Sequence, residues 1–173
     1  MRTQRLFFAL WPNDSLRDRL YALAPHALEP GSGRRVSREN LHVTLVFLGS
    51  VDAKTRTCIE QVASGLNGES FTLTLDELGY WPKPRVVWVG ASSLPEPLRQ
   101  FVGELNSQLP ACGIEPEKRE YRAHMTLARK VKKWVNRGQI DPIDWPVSDF
   151  VLVESCTQPS GVTYQVLRSW ALS

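Results

Sequence analysis

A chain of 173 residues with 42% apolar side chains and six tryptophans is long enough to bury a core and too apolar to be disordered. Its formal charge of +3 permits an anionic ligand without demanding one, so function must be sought in local sites rather than in bulk composition. No apolar run reaches the roughly 20 residues needed to cross a bilayer, and Met1-Arg2-Thr3-Gln4-Arg5 carries no export pattern; a cytoplasmic monomer without membrane contact is expected.

Gln4 to Leu10 reads as a buried strand, and Pro12-Asn13-Asp14-Ser15 offers caps for a helix to about Ala24. After a loop from Pro25 to Ser37, Leu41 to Leu48 forms a second strand stopped by Gly49, and Asp52 caps a helix through about Leu66. Phe71 to Leu78 alternates apolar and polar side chains, the mark of a half-buried strand. The order then restarts. Arg85-Val86-Val87-Trp88-Val89 echoes Arg5-Leu6-Phe7-Phe8-Ala9, a helix is expected over Leu94 to Gln108, and another strand follows. Thirty-seven positions separate Arg5 from His42 (42 − 5) and thirty-nine separate Arg85 from His124 (124 − 85), which suggests a duplication. Ala128 to Pro146 reads as basic and turn-rich, before two last strands near Phe150 to Ser155 and Thr163 to Leu172. The expected fold is α+β and bilobal: two similar lobes, each with a mostly antiparallel sheet and flanking helices, facing each other across a cleft and packed as a single domain over residues 1–173.

Cys58, Cys112 and Cys156 are odd in number, widely spaced and free of any Cys-x-x-Cys pairing, which reads as reduced thiols used as small buried apolar residues.

Two of the three histidines stand in His42-Val43-Thr44-Leu45 and His124-Met125-Thr126-Leu127. Strand alternation puts His42 with Thr44, and His124 with Thr126, on one face each; Leu41, Val43, Leu45 and Phe47, like Met125 and Leu127, then point to the core. One His-x-Thr alone reads as readily as a satisfied sheet histidine. Two in equivalent places point to a joint site. Opposed imidazoles suit in-line displacement at phosphorus, where one group takes a proton from the nucleophile and the other gives one to the leaving oxygen. Thr44 and Thr126 can donate to the non-bridging oxygens. Arg129 would face away under strict alternation, but a bulge or strand end after Leu127 would return it to the histidine face as a phosphate clamp; otherwise it is one solvated member of Arg129-Lys130-Val131-Lys132-Lys133.

These segments, with Arg5 to Leu10, Asn40 to Gly49 and Arg85 to Val89, resemble the 2H phosphoesterases, and within them the bacterial RNA 2′,3′-cyclic phosphodiesterases also called 2′-5′ RNA ligases. The resemblance runs nearly the whole chain, to Arg168-Ser169-Trp170-Ala171-Leu172. It implies no metal and no cofactor, RNA ends with a 2′,3′-cyclic phosphate as substrate, a 2′-phosphate product, and possible reverse ligation. It also implies His124 as proton acceptor, His42 as proton donor, Arg129 as a phosphate contact and Phe8 as the aromatic that stacks on the terminal base. Ala123 stands where the family commonly has proline, which removes a turn constraint but no reacting group.

His26, in a loop without a threonine partner, reads as a surface residue; Arg34, Arg35 and Arg38 could steer RNA or simply be solvated. Tyr80, Trp81 and Trp134 read as packing rather than base platforms. No Asp-x-Asp or His-Asp set accompanies the two histidines, and no Gly-x-Ser-x-Gly appears, which disfavours metal-dependent and serine hydrolases. The remaining rival is a non-catalytic module that holds the phosphate of an RNA end.

Overall fold

The computed structural model describes residues 1–135 and 139–173. Among the described residues, nine strands form two fully antiparallel sheets. The first runs β3 (Val43–Val51), β1 (Gln4–Leu10), β8 (Asp149–Gln158), β9 (Gly161–Ala171); the second runs β2 (Arg34–Arg35), β6 (His124–Arg129), β5 (Val86–Gly90), β4 (Phe71–Trp81), β7 (Gln139–Val147). Aligned on the histidine strands, β3-β1-β8-β9 matches β6-β5-β4-β7, so the α+β, two-lobed expectation holds, with β2 as an addition beside β6.

Side-chain caps fix two of the four helices. Asn13 accepts from the Leu16 amide to start α1 (Asp14–Tyr21), and Asp52 accepts from the Thr55 amide to start α3 (Ala53–Gly65). The first helix ends three residues short of the expected Ala24; Ala24–Ala27 forms its own short turn, α2, and carries the exposed His26. The last helix, α4 (Glu96–Gln108), buries Leu98, Phe101, Val102 and Leu105, the i, i+3, i+4, i+7 set of one helical face.

Three expectations need correction. Cys58 and Cys112 are joined in a disulfide, with Cα atoms 5.7 Å apart, tying α3 to the turn after α4; only Cys156 is free. A separation of 54 residues hides that contact from any spacing rule, because it exists only once the two helices are docked. Gly49 does not stop β3: with φ +76 it supplies a left-handed residue inside a strand that continues to Val51. Finally, the segment read as turn-rich up to Pro146 contains β7, an edge strand in which Pro142 and Pro146 are tolerated because only one side of the strand is paired.

The principal core is continuous across both sheets and all four helices, from Leu6, Phe8 and Leu10 through Ile59 and Leu105 to Val87, Val89 and Met125. β1 is also covered on its other face, where Phe7 and Ala9 pack with Val151, Val153, Trp11 and Tyr164. That two-sided burial explains why Leu6 to Leu10 is an unbroken apolar run.

Candidate active site

The two histidine strands lie at the seam between the sheets: β3 is the edge of the first, β6 sits next to the edge of the second, and the two are in contact. Tyr121 ties the seam by donating its hydroxyl to the Thr44 carbonyl at 3.0 Å. Burial pushes the Tyr121 phenol well above its usual range, so it remains a donor at neutral pH.

Both imidazoles are held in the same way. His42 Nδ1 is 2.7 Å from the Asn40 carbonyl, and His124 Nδ1 is 2.9 Å from the Arg122 carbonyl, each two residues back along the chain. A carbonyl only accepts, so Nδ1 carries the proton in both neutral rings and Nε2 is left for chemistry. Beyond that anchor the two differ. His42 Nε2 is 3.0 Å from Thr44 Oγ1, and its ring is enclosed by Phe7 at 4.9 Å, Tyr164 at 5.0 Å and a stacked Trp11 at 5.7 Å. Arg17, buried and donating to the Arg38 and Pro12 carbonyls, covers the far face of that region 5.1 Å from the Trp11 ring. His124 has one aromatic neighbour, Trp81, edge-on at 4.6 Å, and its Nε2 makes no hydrogen bond among the described residues. A cavity of about 340 Å³, lined also by Glu77, Trp81, Trp88, Arg99 and Arg122, opens beside it. The larger depression, about 610 Å³, lies away from both histidines, between the far end of β3 and the turn after α4.

Each histidine strand carries a bulge directly after its threonine. Opposite β1, Ala9 pairs with Thr44 and Phe8 with Val46, leaving Leu45 unpaired; opposite β5, Trp88 pairs with Thr126 and Val87 with Ala128, leaving Leu127 unpaired. The extra residue inverts the alternation beyond it. Arg129 is thereby returned to the histidine face, as one of the two sequence readings required. Phe47, expected to face the core, is instead 70% exposed, with its ring 6.2 Å from that of Phe7. Phe47 and Arg129 occupy equivalent positions after the two bulges.

Phe8 is a further correction. It is fully buried, packing against Phe150 and Trp170 in the principal core, and is not available to stack on a base. The parity of β1 puts Phe7, Ala9 and Trp11 on the His42 side and Phe8 on the opposite one. Trp81, expected to be packing, does pack against Trp88 but also borders His124. Trp11, Arg17, Tyr121 and Tyr164 were not singled out from sequence. Period-two spacing of Phe7, Ala9 and Trp11 was the available signal for the first of these; for the rest, only long-range pairing reveals the contact.

Electrostatics follow from this enclosure. Burial drives the His42 pKa down to about 4; the Asn40 carbonyl opposes this, and Arg129, Arg17 and His124 lower it further. The His124 pKa is lowered by burial and by Arg129, against the Arg122 carbonyl. One guanidinium thus acts on both imidazoles. Among the described residues, no three His, Cys, Asp or Glu side chains converge as a ligand set for a metal, and no helix is long and apolar enough to cross a membrane.

The family resemblance drawn from the two motifs is upheld by comparison. Residues 12–156 match the model of the 2′-5′ RNA ligase superfamily. The RNA 2′,3′-cyclic phosphodiesterase of Escherichia coli strain K12 is 34% identical over 98% of this chain and 97% of its own, and that of Archaeoglobus fulgidus is 30% identical over 95% and 98%. The crystal structure of E. coli LigT complexed with 3′-AMP superposes with a TM-score of 0.90 at 34% identity, covering 99% of each chain. The chain belongs to the 2′-5′ RNA ligase superfamily.

Proposed function

We propose that this chain is an RNA 2′,3′-cyclic phosphodiesterase that opens the cyclic phosphate to a 2′-phosphomonoester by general acid–base catalysis with His124 and His42, without a metal or other cofactor. The observation that carries the reading is the pair of identically anchored imidazoles, one from each sheet, sharing the field of Arg129. The names of the relatives, and the 3′-AMP in the related LigT crystal, agree with it.

In this scheme water attacks phosphorus and gives its proton to His124 Nε2; the P–O3′ bond breaks, and the 3′ oxygen takes a proton from His42 Nε2. Access supports that division. His124 lines a cavity and its Nε2 makes no hydrogen bond among the described residues, while His42 is enclosed by aromatic rings and held by Thr44. Both rings are neutral at pH 7 before substrate binds, so the acid form must be created by the ligand: the phosphate anion offsets Arg129 and raises the proton affinity of the pair. Thr44, Thr126 and Arg129 bind the non-bridging oxygens. With the 5′-hydroxyl of a second RNA end as nucleophile in place of water, the same ring opening gives a 2′-5′ link: the hydroxyl gives its proton to His124, the P–O3′ bond breaks, and the 3′ oxygen takes a proton from His42.

The deciding experiment is incubation with an RNA ending in a 2′,3′-cyclic phosphate in excess chelator, with chromatographic identification of the product. A 2′-phosphate is expected. A 3′-phosphate would overturn the regiochemistry, loss of turnover in chelator would overturn metal independence, and tight binding without turnover would make this a binding module.

A further inference from the structure

Only one of the three arginines that precede the first histidine strand reaches the catalytic face. Arg38 is bound to Asp18 and to Asp14 at 3.4 Å, and Arg35 lies 3.9 Å over the Tyr21 ring while donating to the Tyr21 carbonyl at 2.6 Å. Arg34 is different. It sits directly opposite Arg129 in the β2–β6 pair, and directly opposed residues of antiparallel strands project from the same face. The face in question is the one to which the Leu127 bulge returns Arg129. Arg34 has no carboxylate partner among the described residues, and its contact is a long 3.5 Å hydrogen bond to the Ser160 carbonyl in the β8–β9 turn.

The placement is built in rather than a loop accident. Gly33, at φ +108, lies so close to β6 that a Cβ there would come within 2.9 Å of Val131 Cγ2 and 3.1 Å of the Arg129 carbonyl oxygen. Only glycine lets the chain enter β2 against β6 at this spacing. Two arginines paired directly across β2 and β6, neither with a carboxylate partner among the described residues, therefore stand at the open edge of the second sheet. Two cations held side by side without counter-ions are a site for two anions, or for one polyanion.

We propose that Arg34 forms a second phosphate subsite, which takes the phosphodiester immediately 5′ of the terminal nucleotide while Arg129 serves the reacting cyclic phosphate. The inference rests on the cyclic phosphodiesterase reading. Because a 2′,3′-cyclic phosphate closes the 3′ end of a strand, every other phosphate of the substrate lies on its 5′ side, and the nearest of them is the neighbour that a residue beside Arg129 can reach. Arg34 is thus a specificity residue: it distinguishes an RNA end from a cyclic mononucleotide, which has no second phosphate.

The test compares kcat/KM on a 2′,3′-cyclic mononucleotide and on a trinucleotide with the same terminal base and cyclic end, for the wild type, Arg34→Ala and Arg34→Lys. In Arg34→Ala the trinucleotide-to-mononucleotide ratio should fall about tenfold, equivalent to about 1.4 kcal/mol, carried mainly by KM. Arg34→Lys should recover part of it. The slope of log kcat/KM against log salt for the trinucleotide should become shallower by about 0.7 in Arg34→Ala. An unchanged ratio overturns the subsite, whatever the absolute rates do, because equal losses on both substrates mean support of Arg129 alone. If the wild type turns over neither substrate, the activity reading fails by itself; calorimetric binding of a 2′-phosphorylated trinucleotide against the 2′-phosphorylated mononucleotide then decides the subsite on the same tenfold ratio.

Discussion

The β3 and β6 strands are two answers to one backbone problem. Both present His-x-Thr on one face, both anchor Nδ1 on the carbonyl two residues back, and both bulge at the leucine after the threonine. What they carry differs. The first surrounds its histidine with Phe7, Trp11 and Tyr164 and follows the bulge with an exposed phenylalanine; the second sets its histidine at the wall of a cavity and follows the bulge with an arginine. A symmetric scaffold fixes where two imidazoles stand, and asymmetric side chains decide what each does. The same division is what the proposed reaction requires, since its two proton transfers run in opposite directions.

The strongest way to break the comparison is to remove each imidazole in turn. His42→Ala and His124→Ala should each lower turnover by roughly 10²–10⁴-fold on the natural ester. They should part on a substrate whose 3′ oxygen is replaced by sulfur, a leaving group that needs no proton. His42→Ala should recover most of its loss there and His124→Ala should not; equal recovery would show that the roles are not divided.

The next contrast is Arg129 against Phe47, the residues after the two bulges. Arg129→Ala should lower kcat/KM by about 10²–10³-fold, the usual cost of losing one donor to a developing anion. Since Arg129 lowers the pKa of both histidines, its removal should also move the acidic limb of the kcat/KM profile to higher pH. Phe47→Ala, which removes no charge, should leave that limb in place.

The smallest effect concerns stability. The unfolded chain binds a proton on His42 near 6.5, and the folded site refuses it until about 4. A depressed folded pKa on a base means that stability is full above about pH 6.5 and is lost as pH falls toward 4. Between pH 7 and 4.5 the chain loses on the order of 2–3 kcal/mol of stability through His42. Urea melts of the wild type and His42→Gln should therefore converge by about that amount between pH 7 and 4.5; parallel curves would mean that the imidazole is not desolvated.

Much of this was legible along the chain, because periodicity and caps are local. Asn13 and Asp52 start their helices as expected, and the face of α4 follows from its apolar spacing. Local patterns were weakest where a strand's partner mattered. β7 was hidden by its prolines, which an edge position tolerates; Phe47 was misassigned because the bulge at Leu45 breaks the parity, and Phe8, carried over from the family resemblance, lies on the core face of β1.

By itself the sequence determined the two matched His-x-Thr strands and their equivalent places in a repeated order of elements, and hence the expectation that the two histidines act together. Tertiary structure alone decided that Arg129 shares the face of His124, that Phe7 rather than Phe8 packs on His42, that Arg34 pairs opposite Arg129, and that Cys58 meets Cys112. The reason is physical. A residue's propensity and period are set by its chain neighbours, whereas a bulge, a strand partner or a disulfide is set by what lies across a sheet or between packed helices, at distances the chain order does not encode.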